Sequence, residues 1–414
     1  MRDGASGKGR RTLLGALLAV VLALAASAAG GLAAPAPQGG PESAGSQGAA
    51  PELLREVYEA GLEHVDLDRL EELYGLVDEE LRARLNVDWG RFLRSMGQEG
   101  LPGAGEVLQA LASLFVRELV VNAHLLARLL ALAVLGAALQ QLGRGIGSDA
   151  VLEAARAVVM LAMILIGLHS FNIVIRMIGG SVQQMTAIAQ ALLPTLGGLG
   201  ALSGVGVATA ALHPILLGVL TASGQLLQNV VVPGLVLGGS LAVTGQIATD
   251  FPLSRLSGLI QHAALVVLGL TLTVLLGVVA VRGALGPVAD GVMLRTAKYV
   301  AGATVPVVGR MVSEAVEVVA GGGALIRGGL GLAGVVTVVL AGLAPVVKLL
   351  AVVFVFRLAS ALLEPLGDPR VAGALEAMSD TMGLLLSSLA ATVVVFMLAT
   401  SAMVGASTLP WVVR

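Results

Sequence analysis

Seven stretches of this chain run for about twenty residues with almost no charge, at 119–142, 157–176, 203–222, 226–247, 258–281, 329–352 and 382–405. A helix needs roughly 20 apolar residues to cross the hydrocarbon core of a bilayer. Inside that core every backbone N–H and C=O must be satisfied, so only helices and closed barrels span it. A barrel would alternate apolar and polar residues, and these runs are continuous. Charged residues make up 13% of the 414, against about 25% in a soluble globular protein. The sequence predicts an all-α fold: a polytopic helical membrane protein with seven transmembrane helices.

The first 110 residues differ in character. Arg2, Lys8, Arg10 and Arg11 precede an apolar run at 13–29 that ends in small residues, with Ala26-Ser27-Ala28 as a cleavage-type triplet. This is the pattern of a secretory signal peptide over 1–34; an uncleaved first anchor is the alternative. Residues 35–50 are a flexible Pro/Gly/Ser/Ala linker. Of 27 acidic residues, 15 fall between 35 and 110, beside six Arg and no Lys. Within 51–85 Leu and Val recur at three- and four-residue steps, which predicts helices. We read 51–110 as a small exported acidic helical region, too short to bury a large core alone, and 111–414 as the polytopic domain.

With 35–110 outside, the inner loops hold Arg144, Arg156, Arg282, Arg295, Lys298, Arg310, Arg327 and Arg414, and the outer side holds Arg176, Arg255, Arg357 and Arg370. This bias agrees with the positive-inside rule. Two apolar segments, 177–202 and 283–312, carry polar residues and prolines. Each is read as an interfacial amphipathic helix or a re-entrant element. Each also follows a span ending in Arg and reaches a Pro-x-x-Gly, at Pro194–Gly197 and Pro306–Gly309, 112 residues apart. Seven spans would set these copies three traverses apart and inverted, a transporter-like and channel-like arrangement; shared composition is the alternative source of the likeness.

Four passages carry a further likeness. They are Phe115-Val116-Arg117-Glu118-Leu119-Val120-Val121-Asn122; the stretch from His169-Ser170-Phe171 to Ala191-Leu192-Leu193-Pro194; Val305-Pro306-Val307-Val308-Gly309 with Ser313-Glu314-Ala315-Val316-Glu317; and 361–371, which contains Glu364-Pro365-Leu366-Gly367-Asp368-Pro369. In order and spacing they resemble the stage III sporulation protein AE family of endospore-forming bacteria, most closely after residue 110. Arg310 departs from the small residue expected there, and Arg327 from a Lys. The resemblance implies a subunit of a mother-cell membrane complex that meets a forespore membrane protein across the two membranes and resembles a secretion channel. It places the chain in the mother-cell membrane around the forespore, with its N-terminal region extracytoplasmic. Other membrane subunits and the bilayer are the implied partners, with homo-oligomerisation open.

Polar side chains at membrane depth are expensive and often functional. Gln183, Gln184, Gln190, His213, Gln225, Gln228, Asn229, Gln246 and His262 fall in this class. They either line a conduit, contact a partner helix, or make interhelical hydrogen bonds worth roughly 0.6–2 kcal/mol each. Lys348 either snorkels to the interface or is buried and needs an acid, with Glu364 a candidate. Glu118 and Asn122 share one helix face and could dock the exported region or a partner, or form a solvated helix end. Pro194, Pro306 and Gly309 mark the turn motifs, and Glu314 and Glu317 an amphipathic face beyond the second. Gly200-x-x-x-Gly204 and Gly234-x-x-x-Gly238 permit close helix approach.

The chain has no cysteine and five His. Its acids show no metal-ligand spacing, and it has no P-loop. Asp66-x-Asp68 is only a fragment of a calcium loop. The early basic cluster belongs to the signal and not to nucleic acid. We expect no cofactor, no metal and no enzymatic activity. The runner-up to a complex subunit is a secondary transporter for a small solute.

Overall fold

The computed structural model describes residues 67–94, 102–146, 149–202, 207–246, 253–304, 309–363 and 369–405. The signal peptide, the linker and residues 51–66 lie outside them. Every described element is helical, as continuous apolar sequence in a bilayer requires. Three short helices come first: α1 (Leu67–Gly75), α2 (Glu79–Leu85) and α3 (Trp89–Arg94). Asp78 caps α2, its Oδ1 accepting from the Glu80 N–H at 3.3 Å. Asn86 ends α2 in the left-handed region (φ 40°), which Asn tolerates better than most side chains. Leu81, Leu85, Trp89, Phe92 and Leu93 are buried, with Trp89 edge-on to Tyr74 and to Phe92. This small unit packs on the membrane helices α4 and α10 rather than on a core of its own.

The long helices are α4 (Ala104–Val121), α5 (Ala123–Ile146), α6 (Asp149–Leu202), α7 (Val207–Leu226), α8 (Val232–Gly245), α9 (Leu253–Thr304), α10 (Gly309–Leu363) and α11 (Pro369–Gly405). At the centre stand α10 and α11: 78% and 72% of their most apolar windows are buried, against 17% for α9. Around them lie α6, packed on α10, and α8 and α9, packed on each other and on α11.

Among the described residues six helical stretches are long and apolar enough to cross a membrane, where the sequence gives seven. The spans read at 203–222 and 226–247 lie largely on one run, α7 through α8, joined by a π-helical turn at Leu227–Val231. Pro233 explains that turn. It has no N–H for the Asn229 carbonyl, and the wider turn is closed by the Val232 N–H donating to the Leu227 carbonyl. The segment 177–202 is not a separate interfacial or re-entrant piece: α6 continues through it for 54 residues, about 80 Å. Residues 283–304 likewise continue α9.

Candidate functional site

Two helical stripes face each other at the end of the molecule that carries α1–α3. On α6, Met177, Gly180, Ser181 and Gln184 follow the three-and-four spacing of one helix face; on α10, Ala341, Pro345 and Lys348 do the same. With Arg176 and Asp78 they line an open cavity of about 240 Å³. The Lys348 ammonium donates to Asp78 Oδ2 at 2.5 Å, with 31% and 22% of the two side chains exposed. The acid beside Lys348 is thus Asp78; Glu364, the candidate from sequence, lies outside the described residues. Lys348 holds the cap of α2.

A second contact secures α2. Glu80 pairs with Arg84 one turn on, at 3.2 Å, and with Arg117 of α4. The Arg117 hydrogen bond holds the Glu80 carboxyl below its ordinary range, against a smaller opposing effect of burial. Glu118 and Asn122, which the sequence places on one helix face, meet at the end of α4. The Asn122 side chain donates to the Glu118 carbonyl at 2.8 Å and closes the junction between α4 and α5. The docking residue is their neighbour Arg117.

A polar node lies where α8, α9 and α11 meet. Ser257 donates to the Gly238 carbonyl at 2.7 Å, and Gln261 Nε2 donates to Thr381 Oγ1 at 3.3 Å. Gly234 and Gly238 do bring α8 close to α9: a Cβ at Gly238 would stand 2.6 Å from the Gln261 side chain. Gly239 lies equally tight on Thr381. Gln228 donates to the Gly179 carbonyl at 3.4 Å. All three contacts join different helices; of the intramembrane polar residues singled out from sequence, Gln228 takes part in one.

Gln183, Gln190, Gln225 and Asn229 behave differently. All four are exposed, although they lie in the apolar windows of α6 and α7–α8. Pro194, His213, Glu314 and Glu317 sit on α6, α7 and α10, but their side chains lie outside the described residues, as does Pro306 altogether; Gly309 begins α10. Among the described residues no three metal-ligating side chains come together.

Residues 87–407 match the family described as Stage III sporulation protein AE. The chain belongs to the stage III sporulation protein AE family. A relative of that name from Bacillus subtilis (strain 168) is 32% identical over 309 residues, covering 75% of this chain and 77% of the relative. No solved structure matches. Family membership implies a role in sporulation, and the family is not a known enzyme family. In this member of the stage III sporulation protein AE family, sequence reasoning missed Asp78, Arg117, Gln261 and Thr381. The GxxxG at Gly234 and Gly238 was a usable signal for Gln261, since it marks the face that α9 approaches.

Proposed function

We propose that this chain is a non-enzymatic membrane subunit of a sporulation-specific, channel-like assembly that links the mother cell to the forespore and is needed for late forespore development. It sits in the mother-cell membrane around the forespore, with α1–α3 on the extracytoplasmic side. Its partners are other membrane subunits of the assembly and, through them, a forespore membrane protein.

The observation that carries this reading is the exposure of Gln183, Gln190, Gln225 and Asn229 on apolar helices. Amide groups facing lipid lose water without gaining a partner, so such residues face protein. In a lone transporter they would turn inward around a substrate.

Deletion of the gene in a spore-forming host, with complementation, tests the proposal. Deletion should leave small forespores silent for late genes, and wild type should restore them. A Gln183→Leu/Gln225→Leu/Asn229→Leu variant should accumulate in the membrane yet fail to restore late expression. Normal forespores in the deletion strain would refute a sporulation assembly.

A further inference from the structure

The cavity between α6 and α10 holds more polar chemistry than the docking of α2 uses. Ser181 is 3% exposed, and its hydroxyl has no hydrogen-bond partner. A helical Ser always has the carbonyl one turn back within reach. Ser170 and Thr186, on the same helix, use it at 2.9 and 2.8 Å. Ser181 leaves it unused and lines the cavity. An unpartnered buried hydroxyl is costly unless something else satisfies it.

The charges are also unbalanced. Arg176 and Lys348 face a single carboxylate, Asp78. Lys348 takes that carboxylate, and Arg176 donates to the neutral Asn172 oxygen at 2.9 Å. Both cations sit well inside helices that are otherwise apolar, where charge is retained for function. Space is available as well, because a Cβ added at Gly180 would meet nothing within 4 Å.

We propose that this cavity binds a small oxyanion, a phosphate or carboxylate group, through Arg176 and Lys348 with the Ser181 hydroxyl as a neutral donor. The Asp78 carboxylate already shows how an oxyanion sits on Lys348. An incoming anion shares or displaces it, and the surplus positive charge favours that exchange. The proposal needs only the cavity and is independent of the channel reading.

The test is equilibrium binding of radiolabelled inorganic phosphate to the purified full chain in detergent. A parallel arm measures retention of phosphatidylglycerol by the chain in nanodiscs, against phosphatidylcholine. Arg176→Gln should weaken binding about tenfold, the usual scale for losing a charge-assisted contact. Gly180→Leu, whose Cβ meets nothing within 4 Å, should fill the cavity and abolish binding. Asp78→Asn, which keeps a good helix cap, should tighten binding several-fold by removing the competing carboxylate. If Arg176→Gln does not fold, the opposed shifts at Gly180 and Asp78 still decide. Saturable phosphate binding with this pattern supports a free anion. Phosphatidylglycerol retention with the same pattern, not displaced by phosphate, supports a lipid phosphodiester. Absence of saturable binding in both arms, or binding indifferent to these variants, overturns the proposal.

Discussion

Lys348, deep in α10, places its ammonium 2.5 Å from Asp78, the residue that caps α2 some 270 positions earlier in the chain. The pair joins the helical region before the membrane domain to one of the two central helices of that domain. A lone cation within an apolar helix is unfavourable, and so is a lone carboxylate beside it. Each makes the other tolerable, and the pairing fixes where α2 sits.

Replacing Lys348 by Met should therefore loosen α1–α3 without unfolding the bundle. Both side chains are about a quarter exposed, so the cost lies between surface and buried pairs, roughly 1–3 kcal/mol. Limited proteolysis should show faster cleavage within 67–94 while the membrane helices stay protected. The exchanged pair Asp78→Lys/Lys348→Asp should recover part of that protection.

Docking should also depend on pH through Glu80. Arg117 lowers its folded-state pKa below the ordinary carboxylate value. The stabilisation is therefore fully present above the unfolded-state value and is lost as pH falls through the lower folded value. The chain has two Trp residues, so Trp411→Phe leaves Trp89 as a reporter in α3. Its emission should shift on acidification, and Glu80→Gln should remove most of that shift while loosening α2 at neutral pH.

Gly239 packs directly on Thr381, and a methyl group there overlaps the Thr side chain. Gly239→Ala should cost about 1–3 kcal/mol in detergent unfolding, the usual range for overpacking. Gly258→Ala meets nothing within 4 Å and should be neutral or stabilising.

Gln261 and Thr381 are buried and bonded to each other. Either Gln261→Leu or Thr381→Val alone leaves its partner without that bond, although Thr381 keeps its bond to the Ala377 carbonyl. A double-mutant cycle should give a coupling of roughly 0.6–1.7 kcal/mol, in the range measured between membrane helices. Strict additivity would mean the pair contributes nothing.

The apolar runs made the helical membrane architecture legible, because a bilayer leaves the backbone no other choice for continuous apolar sequence. The α8–α9 contact was legible in Gly234 and Gly238. The sequence reading breaks two spans at Ser223-Gly224-Gln225, which resembles a polar loop. Ser223 hides its hydroxyl on the Val219 carbonyl and Gly224 packs on Val182, so the helix continues through them. Among the intramembrane polar residues the helical phase decided what spacing could not. His262 is exposed while its neighbour Gln261 turns inward, about 100° around the helix. Asp78 was one acid among 15, and nothing local marks it as the partner of a lysine so distant in sequence.

The central claim is that the exposed amides of α6 and α7–α8 face other subunits, and site-specific cross-linking in sporulating cells tests it most directly. The chain has no cysteine, so single cysteines at Gln183, Gln225 and Asn229 report cleanly, with the exposed apolar positions Leu270 and Val274 as lipid-facing controls. The expected result is adducts at the amide positions to other membrane subunits of the sporulation assembly, formed during engulfment, and none at the controls. Cysteines at the amide positions that stay free of protein adducts throughout sporulation, as at the controls, would contradict it.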